Sequence, residues 1–390
     1  MKRTLIGLVA AVALAAGPAL GAEKVKIGFM TTLSGPAGII GTPMKNAFEL
    51  GLEHVGGKVG GLETEIVYGD DQQKPDVGKQ VVDGMLKKDR VDFVTGIIWS
   101  NVLAAIYKST IREDVFLISS NAGWHVPAGA ECAPNFFNVA FQNDTIPEGA
   151  GKYLQDQGVT NVYTIAPNYQ AGKDMMTGFA RYYKGTYAGQ VFTQLGQSDY
   201  QAEITALRAA KPSALFVFLP GGMGINFIKQ YAQAGLLKEI PMYSAYTVDS
   251  ISLPALKDAA VGTFGLQHWS PDLDNPVNKR FVKEYRERHG AYPVFYAAQA
   301  YDTVMFLDAA IRKAGGIKDR KKLQAAMESG DFPSVRGKIE IGNNHFVIQN
   351  IYLREAVKLG EDDYTTQIRE VVLPMHKDAY HQDCKMTKLQ

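Results

Sequence analysis

Apolar positions fall in two registers along the chain: short unbroken runs, and longer stretches in which they recur three or four residues apart. "VKIGFM" (25–30) is strand-like, whereas residues 42–54 carry helical spacing through Met44, Ala47, Phe48 and Leu52. "TEIVYGDD" reads as a strand with an acidic exit. A helix over 75–88 then places Val77, Val81, Val82 and Met85 on one side. "VDFVTGII" is a strand, 102–111 a helix and "VFLISS" another strand. A second series begins with a helix over 146–157. It continues through strand "VYTIAP", helix 172–183, strand "GQVFTQL", helix 200–209, strand "ALFVFLP" and helix 225–234, ending at "PMYSAY". Strands alternating with helices predict parallel sheets covered on both faces, and two successive series predict two doubly wound α/β lobes.

The amino terminus departs from this pattern. Met1-Lys2-Arg3 is a positive start, residues 4–20 are mostly Leu, Ala and Val, and Gly21-Ala22 precede charged Glu23-Lys24. That order predicts a secretory signal peptide over 1–22, cleaved after Ala22, and hence an exported protein. A transmembrane anchor is the alternative, but the run is short and broken by Gly17-Pro18. The remaining 368 residues are long enough for two domains. Without Lys2 and Arg3, 39 basic residues face 40 acidic ones. No basic block points to nucleic acid, so the expected partner is a small molecule or a protein.

In an oxidising compartment, Cys132 and Cys384 are expected to form a disulfide fastening the C-terminal tail to the body. A metal site using His381 and Cys384 is the rival reading, with only two ligands in view.

In sheets of this kind ligands bind beyond the carboxyl ends of the strands. Those exits read Thr31-Thr32-Leu33-Ser34-Gly35-Pro36, Trp99-Ser100-Asn101 and Ser119-Ser120-Asn121-Ala122-Gly123-Trp124 in the first series. Asn168-Tyr169-Gln170, Pro220-Gly221-Gly222 and Ser244-Ala245-Tyr246 follow in the second. They hold hydroxyls, amides and large aromatics, with almost no catalytic-looking charge. GxSxG, HExxH and GxxxxGK[ST] are all missing from the sequence, and "GGMGIN" only partly imitates a dinucleotide fingerprint. Asp302 lies inside a helical pattern without a visible His partner. A non-enzymatic protein without cofactor or metal is expected.

"IGFMTTLSGPAGIIGTPMKNAFELGLEHVGG", "GDDQQKPDVGKQVVDGML", "TGIIWSN" and "QAYDTVMFLDAAIRKAGG" together resemble the periplasmic substrate-binding proteins of branched-chain amino acid type ABC importers. The resemblance runs from Val25 to about Arg354. It implies a type I binding-protein fold whose two lobes close over a ligand, with the chain crossing the hinge near 141–142, 269–270 and 347. Residues 23–141 and 271–345 would then form lobe 1, and 142–270 with 346–390 lobe 2 plus the tail. A permease in the inner membrane is the implied partner, and a monomer the implied state. A ligand sensor feeding a membrane receptor is the alternative role.

The resemblance also bears on the ligand. Amino-acid-binding members hold the α-carboxylate with a serine after strand three and an amide after strand four, places filled here by Ser100 and Gly123. They hold the ammonium with a threonine hydroxyl and a glutamate, where this chain has Gly123 and Tyr246. A buried ammonium without a counter-charge costs several kcal/mol. The expectation is therefore an aromatic carboxylate of benzoate, hydroxybenzoate or phenylpropenoate type; a branched-chain or other amino acid is the alternative. Ser100 and the amides of Ala122 and Gly123 would meet the carboxylate. Trp99, Asn121, Trp124, Tyr169, Tyr246 and Tyr296 would line the remainder of the site. Each has a plainer reading: Ser100 as a helix cap, Asn121 as a turn former, the aromatics as core.

Overall fold

The computed structural model describes residues 23–389, so the predicted signal peptide lies outside the described residues. The first sheet holds five parallel strands: β1 (Lys24–Thr31), β2 (Glu63–Asp70), β3 (Phe93–Thr95), β4 (Phe116–Ser119) and β5 (Phe136–Asn138). Their spatial order is β2-β1-β3-β4-β5. Helices α1 (Gly38–His54), α2 (Pro75–Gly84) and α3 (Ser100–Arg112) make the crossovers. Consecutive β1 residues from Ile27 to Thr31 are buried, as expected for a central strand covered on both faces.

The second sheet follows the same logic. Helix α4 (Thr145–Asp156) leads into β6 (Asn161–Pro167), and α5 (Gln170–Tyr182) into β7 (Thr186–Thr193). Then come α6 (Gln201–Ala210), β8 (Ala214–Val217), α7 (Gly222–Gln233), β9 (Met242–Ala245), the single turn α8 (Leu253–Leu256) and β10 (Phe264–Gln267). Strands β6 to β10 are parallel in the order β7-β6-β8-β9-β10.

The chain then returns to the first sheet. Helices α9 (Pro276–His289), α10 (Phe295–Ala314) and α11 (Arg320–Glu328) follow β10, and α10 packs along α1. Strand β11 (Glu340–Ile341) precedes a long antiparallel hairpin, β12 (Val347–Gly360) with β13 (Asp363–His376), which extends the second sheet beside β10. The expected strands and crossover helices are present with shifted ends. The hairpin had no counterpart in the sequence pattern read above.

Two differences affect the strand exits. The run expected as a strand over 91–98 pairs only at Phe93–Thr95. At Gly96 the backbone turns into the left-handed region (φ +92°), and a Cβ there would lie 2.6 Å from the Met30 carbonyl oxygen. Only glycine fits. The strand therefore stops early, and 97–99 carry no regular structure until α3 begins at Ser100, with Trp99 extended. Likewise β8 ends at Val217, three residues before Pro220, which has no N–H for a ladder.

The first and third connections between the sheets are joined by one buried cation. Arg336 pairs with Asp302 of α10 at 2.9 Å. Its other nitrogens donate to the Val139 and Ala140 carbonyls of the first connection and to Gln349 just past the third. Asp302, without a visible partner in the sequence, thus has a structural one. The tail makes a fourth link. Cys384 is bonded to Cys132 in the loop after β4, and Leu389 donates its amide to Glu328 of α11. Residues past β13 therefore touch both lobes: Cys384 and Leu389 hold the first, while Tyr380 donates to Asp144 at the start of α4 in the second. Among the described residues no helix is long and apolar enough to cross a membrane, and no His, Cys, Asp and Glu cluster could hold a metal.

Candidate functional site

The carboxyl ends of both parallel sheets face each other across a buried cavity. Its walls come from the first lobe (Ile98, Trp99, Ser100, Asn121), the first connection (Phe141, Asn143), the second lobe (Tyr169, Phe218, Tyr246) and the start of α10 (Phe295, Tyr296). Half of the lining side chains are aromatic, and none of the described residues lining it is charged. Its free volume is about 20 Å³, room for about one water molecule, so a larger occupant requires the walls to part. An outer chamber of about 380 Å³ lies between 36–40 and 220–226, sharing Trp99 and Pro220 with the inner one. Larger recesses, such as one of about 570 Å³ beside Lys322 and Lys388, lie on the surface away from the strand ends.

Trp99 is held as a fixed wall. Its indole N–H donates to Thr32 Oγ1 at 2.8 Å, and Thr32 in turn donates to Asp71. Tyr169 of the opposite lobe meets the ring edge-on, centroids 6.0 Å apart. Burial raises the Tyr169 phenol above its ordinary range.

Ser100 is the first residue of α3 and is buried, but its side chain does not cap the helix; Trp99 occupies the cap position. Instead Ser100 Oγ accepts from Asn143 Nδ2 at 3.0 Å. Because that bond uses an oxygen lone pair, the hydroxyl hydrogen stays free to donate. Asn121 donates to the Ile98 carbonyl at 2.7 Å, leaving its Oδ1 buried without a partner.

Tyr246 carries three marks of a residue held in place by its surroundings. Its backbone is left-handed (φ +57°), rare for a bulky side chain. Its ring stacks on Phe141 at 4.8 Å and leans on Phe295 at the same distance. Its hydroxyl is buried with no hydrogen-bond partner. Burial, reinforced by neighbouring Tyr296, pushes its pKa well above the ordinary tyrosine value. Behind it lie Asp249, raised to about 6 by burial, and Arg354, lowered to about 10 by burial.

Three expected contacts are placed elsewhere. The Ala122 amide donates to the Ile97 carbonyl, and the Gly123 amide donates to Asn143 Oδ1 at 3.1 Å. Neither is free for a carboxylate. A Cβ on Gly123 would lie 2.3 Å from the Phe141 carbonyl oxygen and 2.8 Å from the Asn143 nitrogen, so a threonine cannot occupy this place in this backbone. Trp124 turns away from the cavity and packs edge-on against Tyr107 in its own lobe. Trp99, Ser100, Asn121, Tyr169, Tyr246 and Tyr296 are brought together around the cavity. Sequence reasoning missed Phe141, Asn143, Phe218 and Phe295. Only Phe141 carried a signal, its place at the first expected crossing.

Two facing parallel sheets, three connecting segments and a cavity between the strand ends define a type I periplasmic binding protein. The chain belongs to the periplasmic binding protein family, whose profile matches residues 24–362. Among proteins of known sequence it is similar to the Leu/Ile/Val-binding protein homolog 6 of Brucella melitensis, 26% identical over 374 residues covering 93% of this chain and 95% of that one. Among solved structures it is similar to an ABC transporter solute-binding protein of R. palustris in complex with benzoate. That likeness has a TM-score of 0.87 and 29% identity, and covers 93% of this chain and 100% of that one. A solute-binding protein of Rhodopseudomonas palustris BisB5 in complex with 3,4-dihydroxybenzoic acid is also similar, with a TM-score of 0.86 and 27% identity, covering 91% and 99%.

Proposed function

We propose that the protein is an exported, periplasmic solute-binding protein that captures an aromatic carboxylate by lobe closure and presents it to an ABC permease. The observation that carries this reading is the cavity itself: half aromatic, free of charged lining residues, and provided with a free hydroxyl at Ser100. A carboxylate needs donors, and its ring needs flat apolar walls. An amino acid would also need a carboxylate near its ammonium. The unpartnered acceptors on the cavity wall, the Asn121 oxygen and the Tyr246 hydroxyl, are both neutral, too little to offset the desolvation of a cation. The benzoate-type ligands of the two similar solved structures point the same way.

In this reading Ser100 donates to the carboxylate. The ring lies between Trp99, Tyr169 and Phe218, and the orphaned Tyr246 hydroxyl and Asn121 oxygen meet ring substituents or a trapped water. No bond is made or broken. Binding energy shifts the lobes toward the closed form, and a permease recognises that form. A thermal-shift panel of benzoates, hydroxybenzoates and phenylpropenoates against aliphatic amino acids tests this. Stabilisation confined to the aromatic acids is expected. Stabilisation by leucine with none by the aromatic acids overturns it.

A further inference from the structure

Four side chains form one hydrogen-bonded chain from the surface to the cavity. His125 Nδ1 meets Asp174 Oδ1 at 2.9 Å, and Asp174 Oδ2 accepts from Asn143 Nδ2 at 2.8 Å. The same amide nitrogen donates to Ser100 Oγ. His125 comes from the loop after β4 in the first lobe, Asp174 from α5 in the second, and Asn143 from the connection between them. The roles cannot be exchanged. The Gly123 N–H can only donate to Asn143 Oδ1, and an ionised Asp174 can only accept, so the Asn143 NH₂ must point at both Asp174 and Ser100.

Asp174 is 4% exposed. A buried carboxylate two hydrogen bonds from the anchor of an anion repels that anion unless a cation compensates it. His125 is the group in position to do so. Other groups facing it are Asp144 at the start of α4, the Tyr380 ring at 5.5 Å and the Trp124 ring at 6.2 Å. The nearby cation Arg181 is engaged by Asp144 and Glu148. Glu148 is shared with His376, and Gln170 donates to Asp174 without charge.

We propose that His125 is a positioning residue for carboxylate capture. Protonated, it neutralises Asp174 across the two lobes, so that the Asn143–Ser100 pair faces an anion without net repulsion. This rests on the reading of Ser100 as the carboxylate donor. The sign follows from the pair. The hydrogen bond to Asp174 raises the imidazole above its ordinary value of 6.5. The compensation is therefore complete below 6.5 and disappears as pH rises through the raised value. Asp144, raised to about 6 by burial, bounds the useful window on the acid side.

The test titrates benzoate, 4-hydroxybenzoate and leucine calorimetrically into the mature protein between about pH 6.5 and 9, where these carboxylates stay ionised. Affinity for whichever carboxylate binds is expected to fall ~3–10-fold across that range, the reach of one partly screened charge. His125→Gln should bind weakly at every pH, and His125→Arg tightly at every pH. NMR titration of the ligand-free protein should show the His125 ring above its ordinary value, and Asp174→Asn should lower it. A flat wild-type profile, or a His125 titration untouched by Asp174→Asn, overturns the proposal. Binding of leucine alone sinks the aromatic reading and leaves the pH profile to judge this one. Binding of none of the three overturns both.

Discussion

Replacing Ser100 by alanine separates the two roles a buried serine at a helix start can have. If Ser100 capped α3, Ser100→Ala would cost ~1 kcal/mol of fold stability or more. Its side chain instead accepts one hydrogen bond from Asn143, whose amide keeps Asp174 as a second acceptor when the serine oxygen is removed. The loss to the ligand-free fold is then one neutral bond with no orphaned donor, ~0.5 kcal/mol. In a chain of this size that moves the melting temperature by about 2 °C or less. Loss to the ligand is larger, because a hydrogen bond to a charged group contributes ~1.5–3 kcal/mol. At 1.4 kcal/mol per tenfold, the dissociation constant should rise roughly 10- to 150-fold. Calorimetry with 4-hydroxybenzoate reads the affinity, and scanning calorimetry of the free protein reads the fold. An affinity within about twofold of the wild type refutes the donor role. A melting temperature lowered by many degrees shows that the serine holds the fold together instead.

Further outcomes follow from the same geometry. Leucine, isoleucine and valine should give no thermal stabilisation, since no carboxylate lines the cavity; a large shift with any of them would reveal an ammonium acceptor not seen among the lining residues. Arg336→Met should destabilise by about 3–5 kcal/mol in denaturant titration, because Asp302 is left buried without its cation and the Val139 carbonyl and Gln349 Oε1 lose their donor, while Ala140 keeps only Gln349. A loss below about 1 kcal/mol would show that the hinge clamp is replaceable. Breaking the Cys132–Cys384 disulfide, which closes a loop with a sequence separation of 252, should cost about 5 kcal/mol in the chain-entropy view; equal stability after reduction would contradict it. Tyr246→Phe removes an orphaned buried hydroxyl, so the free protein should lose no stability while affinity for a hydroxylated ring falls; an unchanged preference between benzoate and 4-hydroxybenzoate would remove Tyr246 from the site.

The alternation of apolar runs with helical spacing determined, from sequence alone, two parallel α/β layers with their strand exits in order. The period of a strand or helix is a local property, written in neighbouring residues. The same local reading located Trp99, Ser100, Asn121, Tyr169 and Tyr246, because ligands in such sheets meet the loops after strands. Tyr296 and the return of α9 to α11 to the first sheet came only with the family resemblance. What tertiary structure alone decided is which groups are spent. The Ala122 and Gly123 amides look available in sequence, but Ile97 and Asn143 use them. Trp124 looks like a wall, but Tyr107 holds it away from the cavity. Phe141, Asn143, Phe218 and Phe295 reach the cavity from segments far apart along the chain. Whether a polar atom is free, and which way a ring turns, depends on partners brought together by long-range packing, and no local pattern encodes that.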